Sequence, residues 1–408
     1  MALERVRFLH TSDWHLEEPL GGIFEVPSEL RDDLMEAPYQ AAERVVESAI
    51  REAVDFVLLA GDILPIESAS PYTLEFVLQQ FEKLHEQGIQ VYWVGGGEDD
   101  PDLWPAQLSL SKNVHTFPVG MVDTYRFDRD GEPIAEIVGQ SARRQTKLLA
   151  SDFSGSNDQI TRIALGHGGI DPKLLDSQGV DYWAFGGKHI YERLGRKSAN
   201  AFYCGSPQGR SPAEVGRFSC NLVELKYGDV EVRRIDVAAV HWYQERLHLS
   251  PATELRQLET EVLEQMRQNS LGDETLALWT WDLVRDEPWA TPLGPAELQR
   301  LMHTWRTDKS RSRQRTVGIN LLSGEIPAGE WDEDSILGDF LRVVRDLQQQ
   351  PEAHRQLETY LPDSSLKEIV LAELKGASPE LHQQMWHEVA ALGAGLLRGD
   401  VSLDPATS

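Results

Sequence analysis

Residues 55–62 read Asp-Phe-Val-Leu-Leu-Ala-Gly-Asp, and residues 8–16 read Phe-Leu-His-Thr-Ser-Asp-Trp-His-Leu. Each stretch is a short apolar run that stops at carboxylate and imidazole groups. Runs this short suit strands buried on both faces, with the polar residues falling just past the strand ends. Between the two runs, residues 39–53 place Ala42, Val45, Val46, Ala49 and Ile50 on one helical face. After the second run, Leu74, Val77, Leu78, Phe81 and Leu84 keep helical register over 72–87, and Ile89–Val94 is the next strand. This βαβαβ rhythm predicts right-handed crossovers in a largely parallel sheet. Further strands are expected at Ile134–Val138, Arg162–Leu165, Tyr182–Phe185, Phe218–Leu225 and Val230–Val237.

Beyond about residue 240 the texture changes, which divides the chain into 1–240, 241–330 and 331–408. The middle segment reads as a small α/β module: helix 253–267, strand Thr275–Val284, helix 295–305, strand Arg315–Leu322. The last segment reads as helices at 334–348, 353–359, 364–375 and 379–398, with Leu381, Met385, Val389, Leu392 and Leu396 aligned in the final one. The stretches Lys309–Arg315 and Ser323–Trp331 read as loops.

The 408 residues carry 39 Lys+Arg against 66 Asp+Glu, a net charge of −27. That balance excludes a broadly basic nucleic-acid binder, because the summed field repels phosphate. The charge is uneven: residues 1–100 hold −15, residues 101–250 hold zero, and residues 251–408 hold −12. A polyanion would therefore meet the middle segment or a bound metal. The two cysteines, Cys204 and Cys220, make no disulfide framework and read as reduced, buried thiols. The N-terminus lacks the apolar core of a signal peptide, and no apolar run approaches the ~20 residues that span a bilayer. A cytoplasmic protein with no membrane partner is expected.

Five polar clusters follow five expected strands. They are Asp13-Trp-His15, Gly61-Asp62, Gly95-Gly-Gly-Glu98-Asp99-Asp100, Gly166-His167, and Gly186-Gly187-Lys188-His189. Ligands of open α/β sheets gather at the carboxyl ends of strands. Asp13, His15, Asp62, His167 and His189 should thus share one rim. Mixed nitrogen and oxygen donors suit manganese, iron or zinc better than magnesium or calcium.

These clusters resemble those of the calcineurin-like metallophosphoesterases, whose pattern runs D-x-H, G-D, G-N-H-[DE], a lone His, and G-H-x-H. Within that superfamily, residues 8–16, 55–62, 181–186 and Tyr203-Cys-Gly-Ser-Pro-Gln-Gly-Arg210 are most similar to the SbcD/YhaO-like DNA-repair nucleases. The resemblance implies an α/β fold: a β-sandwich flanked by helices, then a small α/β cap and a helical C-terminal segment. It implies a first metal on Asp13, His15, Asp62 and His189. A second metal would keep only Asp62 and His167, because Gly97 stands where Asn is expected and Gly187 where His is expected. The histidine that assists the leaving group is replaced by Glu98. One divalent ion, Mn2+ or else Fe2+ or Zn2+, is therefore expected rather than two. Glu98, Asp99 or Asp100 could donate replacement oxygens, and Lys188 could place a fixed cation in the gap.

Phosphodiester substrates also need cations beyond the metal centre. Arg143, Arg144 and Arg210 are candidates for substrate contact, Arg193 lies in a second basic group, and Trp104 and Trp183 are candidates for stacking on bases. No base-reading motif of defined spacing occurs, so any DNA would be bound without sequence specificity. The resemblance further implies a homodimer and a helical C-terminal segment docked on an SMC-type ATPase. This chain has no Gly-x-x-x-x-Gly-Lys-[Ser/Thr] stretch of its own. The expected function is metal-dependent hydrolysis of DNA phosphodiesters. Its rivals are an impaired scaffold for DNA ends or an ATPase, and a phosphatase of small esters.

Overall fold

The computed structural model describes residues 5–23, 26–142, 147–155, 160–195, 200–226, 229–250, 253–269, 275–286, 295–307, 313–350 and 379–399. The chain divides into two compact units: Met1–Tyr243 with Leu271–Leu278, and Gln244–Ser270 with Trp279–Ser408.

The first unit is built on two six-stranded sheets. In the first, β1 (Val6–Thr11), β2 (Phe56–Leu59), β3 (Gln90–Trp93) and β4 (Val114–Thr116) run parallel. Helices α1 (Arg31–Arg51) and α2 (Pro71–Glu86) make the crossovers. The chain then enters the second sheet through β5 (Asp123–Arg129), β6 (Glu132–Gln140), β7 (Thr161–His167), β8 (Tyr182–Gly186), β9 (Glu192–Leu194) and β10 (Ala201–Tyr203), in the order β5-β6-β7-β8-β10-β9. It returns through the antiparallel pair β11 (Ser219–Lys226) and β12 (Asp229–Asp236), with β11 antiparallel to β1. The largely parallel sheet expected from the rhythm is thus two sheets, in keeping with the β-sandwich that the resemblance implies; the first has one antiparallel edge and the second has two.

Alternation along the strands sets the layers. Phe8, Phe56, Leu58 and Tyr92 face the second sheet and meet Ile137, Ile163, Tyr182 and Phe202. Phe8 stacks on Phe56 at 5.1 Å and meets Tyr182 edge-on at 5.3 Å. The intervening Leu9, Val57, Leu59, Val91 and Trp93 face Val45, Ala49, Val77 and Phe81 of the helices. On the far side of the second sheet, Trp183 and Phe185 pack with Phe153 and Leu175. Both faces of each central strand are buried, which is why the strands read as unbroken apolar runs. Helix α1 begins eight residues before the expected start. Pro38 masks the continuation in sequence, yet Leu34 and Ala37 extend the buried face on its far side.

Most of the three-stranded sheet β13-β14-β15 belongs to the second unit: β13 (Val240–Leu249), β14 (Leu276–Arg285) and β15 (Gln314–Ser323). Helices α3 (Leu255–Gln268) and α4 (Pro295–Thr307) interleave with these strands in sequence. Strand β13 was not expected, because it falls on the change of texture at residue 240. Stacked Trp279 and Trp281 bury one face of β14, with Trp305 of α4 against Trp281. On the other face Gln244 and Asn320 each donate a hydrogen bond to Asp282, both at 2.8 Å. That polar row floors a recess of about 930 Å³ that Trp331, Trp386 and Glu388 also line.

The stretch expected as a loop at Ser323–Trp331 contains a short helix, α5 (Ala328–Trp331). Helix α6 (Ile336–Gln348) packs Leu337, Leu341 and Val344 on α7 (Pro379–Arg398). The buried stripe of α7 is Trp386, Ala390, Ala391 and Ala394. Val389 and Leu392, expected on the packed face, are instead 37% and 50% exposed. The small residues lie inward because Gly393 abuts the Phe340 ring, and larger side chains would hold the helices apart. The expected helices 353–359 and 364–375 lie outside the described residues. Among the described residues no helix is long and apolar enough to cross a membrane.

Phe56 fills the space between the two sheets, touching Phe8, Tyr92 and Phe127. Phe56→Ala is expected to cost about 3–5 kcal/mol. Urea unfolding monitored by near-UV circular dichroism measures it, and a loss below about 1 kcal/mol would contradict this packing.

Candidate metal centre

The candidate ligands stand at the carboxyl ends of β1, β2, β7 and β8, His167 as the last residue of its strand and the others on the loops beyond. Past the strand ends, the β1 and β2 loops stay joined. Asp13 N–H donates to the Gly61 carbonyl at 2.8 Å, His15 N–H to the Asp62 carbonyl at 3.1 Å, and Leu16 N–H to the Ile63 carbonyl at 3.0 Å. Continuing this ladder around a bend puts Asp13, His15 and Asp62 at φ of +55°, +45° and +53°. Side-chain-bearing residues seldom adopt that region, and they cluster there at functional sites. Gly61 lets the turn close, since a Cβ on it would lie 2.7 Å from both Gly96 N and His167 Nδ1.

The β3 loop completes the frame through Asp99, which is fully buried. Its carboxylate accepts N–H bonds from Asp62 (2.8 Å), Ile63 (3.1 Å), Gly96 (2.6 Å) and the Trp93 indole (3.0 Å). Burial, followed by the like charge of Asp62, pushes Asp99 up to about 7, against the pull of these donors. Asp99 therefore braces the loop and does not offer a replacement oxygen to an ion. Asp100 likewise turns away, accepting from Asp102 N–H at 3.0 Å. Glu98 holds the site through its backbone, donating its N–H to Asp62 Oδ1 at 3.1 Å.

Two groups of metal-competent atoms result, and Asp13 belongs to both. The first is Asp13, His15 and His189; the second is Asp13, Asp62 and His167. Asp62 thus groups with His167, not with the two histidines of the first group. In the first group the Nε2 atoms of His15 and His189 face each other at 3.1 Å. The outer nitrogen of His189 is held by Glu214 Oε1 at 2.8 Å, and that of His15 lies 3.6 Å from Glu18. Carboxylates behind two convergent imidazoles aim both inner lone pairs at one point. The separation is that of two nitrogens each about 2.1 Å from a shared centre. The donor set fits a divalent transition ion. The Glu214 hydrogen bond raises the His189 pKa, while burial lowers that of His15.

In the second group His167 Nδ1 bonds the Ala60 carbonyl at 2.7 Å, and its Nε2 lies 3.2 Å from Asp62 Oδ2. Burial disfavours charge on both, but the pairing outweighs it: Asp62 falls to about 2 and His167 rises to about 9. Gly187, at φ +99°, donates its N–H to Asp13 Oδ2 at 3.0 Å. A Cβ there would lie 3.1 Å from His167 Nε2, so the glycine leaves the edge of that ring open.

The remaining candidates are placed otherwise. Lys188 donates to Glu192 at 2.5 Å and lies over the Tyr203 ring, so its charge is spent there and not in the gap beside His167. Arg210 donates to the Glu18 carbonyl and carboxylate at 2.9 and 2.8 Å, which makes it a brace behind His15 and not a free phosphate contact. Trp183 is fully buried and offers no face to a base, while Trp104, half-buried, bonds the Leu108 carbonyl and packs at a right angle to Trp93. Arg143 and Arg144 lie outside the described residues. Glu214 escaped the sequence reading because it is a lone acid in a loop, 25 residues from the histidine it orients.

Residues 6–191 match the family model for calcineurin-like phosphoesterases, and the chain carries a calcineurin-like phosphoesterase domain, a kind of domain that implies a divalent metal. The chain is 30% identical over 276 residues to the uncharacterized metallophosphoesterase YhaO of Bacillus subtilis, across 63% of this chain and 66% of that protein. It is 23% identical over 208 residues to the DNA double-strand break repair protein Mre11 of Methanocaldococcus jannaschii, across 46% and 52%. It thus spans about two thirds of the first relative's length and about half of the second's. Among solved structures, a dimetal phosphatase from Danio rerio overlaps 58% of this chain and 100% of its own at 14% identity, with a TM-score of 0.35.

Glu214→Ala is expected to free the His189 ring and weaken Mn2+ binding by about 10–100-fold, with little change in melting temperature. Isothermal titration calorimetry tests this, and an unchanged dissociation constant would remove Glu214 from the site.

Proposed function

We propose that the chain is a metal-dependent phosphodiesterase acting on DNA strands. The observation that carries this reading is the facing pair of His15 and His189 beside Asp13, held from behind by carboxylates at the strand ends of a calcineurin-like phosphoesterase domain. A divalent cation held by Asp13, His15 and His189 would supply Lewis acidity and ease deprotonation of a water to a nucleophile for phosphorus. The chain's own residues supply position. Glu214 fixes the His189 ring, Asp99 fixes the loop that carries Asp62, and the Gly187 amide fixes Asp13. His167 holds a proton at Nε2 beside Asp62, which keeps the second group compact when no cation is bound there.

DNA as the substrate is supported by the similarity to Mre11, whose name states double-strand break repair. With Gly97 and Gly187 at positions where the family pattern has Asn and His, one tightly held ion is the reading for this centre. The same glycines favour a second reading, a DNA-end scaffold with little catalysis. An ATPase partner docking on the C-terminal helices is supported by their outward apolar residues: Ile336 and Val343 on α6, and Val389 and Leu392 on α7, are 37–76% exposed.

The deciding experiment is Mn2+-dependent hydrolysis of single- and double-stranded DNA and of bis(p-nitrophenyl) phosphate. The control is the double variant Asp62→Ala/His189→Ala. The parent is expected to cut all three, and the double variant to fall to the metal-only background. Equal rates would eliminate the enzyme. Binding of DNA by both proteins without cleavage would leave the scaffold.

A further inference from the structure

Three arginines of the first unit make no carboxylate ion pair among the described residues: Arg193, Arg217 and Arg234. This is unexpected in a chain with 27 more acids than bases, where an exposed guanidinium meets a carboxylate easily. The acids close to them have other contacts. Glu192 pairs with Lys188 at 2.5 Å and Glu214 with His189 at 2.8 Å, while Asp236 lies 3.3 Å from His241 and also acts on Arg234 through space. Aromatic rings hold Arg193 and Arg234 instead. Arg234 lies 4.6 Å above the Tyr191 ring, donates Nε–H to Ser219 Oγ at 2.8 Å, and donates to the Arg217 carbonyl. Arg193 lies 5.5 Å from the Phe202 ring, whose neighbour at 6.1 Å is Tyr191. A guanidinium over a ring keeps its outward N–H groups free for an incoming anion.

The strip leads away from the candidate metal centre. Tyr191 is two residues from the candidate ligand His189, so their Cα atoms are at most about 7 Å apart. A recess of about 460 Å³, lined by Lys188, His189, Ile190, Tyr191, Glu192 and Glu214, opens along the same path. Arg217 follows Glu214, the carboxylate that orients His189, by three residues. Ile190, 66% exposed, offers an apolar step between ligand and arginines. A row of cations and apolar surface of this kind follows a single nucleic-acid strand by its phosphates and base faces, with no sequence preference.

We propose that Arg193, Arg217 and Arg234 form a phosphate track that holds a single nucleic-acid strand entering the candidate metal centre past His189. This rests on the DNA phosphodiesterase reading. The track positions the strand, and the reacting phosphate sits at the metal ligands.

The test uses the full chain loaded with Mn2+ and a fluorescein-labelled phosphorothioate 12-mer that resists cleavage. Anisotropy gives the dissociation constant across a salt series. For Arg193→Ala/Arg217→Ala/Arg234→Ala, weaker binding is expected, with a log–log salt slope shallower by about 2, at roughly 0.7 per lost phosphate contact. The rate on bis(p-nitrophenyl) phosphate, too small to reach the strip, is expected to stay at the parent's value. Arg234→Ala, which removes one charge and disturbs the surface less, should show about one third of that slope change, and it guards against a misfolded triple variant. A triple variant with parental affinity and slope, in a parent that binds and cuts DNA, overturns the track alone. A parent that hydrolyses the chromogenic diester but does not bind the 12-mer overturns both the track and the DNA reading. Equal affinity for a polyglutamate peptide of matched charge overturns it in favour of an acidic protein ligand.

Discussion

Four N–H groups converge on the carboxylate of Asp99: those of Asp62 and Ile63 from the β2 loop, Gly96 from its own loop, and the Trp93 indole. A buried carboxylate without donors would be costly, and four of them make this one a fastener. It ties the end of β3 to the end of β2. The backbone bonds from Asp13, His15 and Leu16 tie β2 to β1 in turn. Every candidate ligand on this side of the site hangs from that chain of contacts. Without Asp99 the β2 and β3 loops would keep only the bonds of Glu98, its N–H to Asp62 and its carbonyl to Ile66, across the Gly61–Gly96 approach.

The second sheet supplies the opposing half by different means. His167 is the last residue of β7, and His189 follows β8 by three residues. Rigid parallel pairing of β7 with β8, with Gly166 opposite Phe185 and His167 opposite Gly186, sets their spacing. The centre therefore lies where two sheets, packed through Phe8, Phe56 and Tyr182, bring two sets of strand ends together. Packing between the sheets fixes the distance across the site as firmly as any hydrogen bond within it.

Much of this was legible in the chain itself. The runs at 6–11, 56–59, 90–93, 161–167 and 182–186 show as strands because burial on both faces leaves them no polar alternation to obscure. The five ligand candidates show because each follows such a run. Short strands escaped: β4, β9 and β10 are three residues each, and the edge strand β9 carries charge, so neither length nor pattern marks them. The split into two sheets is invisible locally, because parallel strands of either sheet look alike. Lys188, Arg210 and Asp99 stand in the expected motifs, yet their partners, Glu192, Glu18 and four N–H groups, come from tertiary contacts that spacing does not reveal. The same holds for Glu214, and for the stripe of α7, where the aligned leucines and valines suggested one face and close approach at Gly393 selected the alanines.

The backbone at Asp13, His15 and Asp62 has one more implication. All three sit in the left-handed region, where glycine is at ease and where other residues cost on the order of 1 kcal/mol or more. Glycine at any of them would relax the chain and delete a donor in the same step. Directed evolution for thermal tolerance alone would thus erode this centre before it touched the core, and library designs seeking hardier variants should hold these three codons constant.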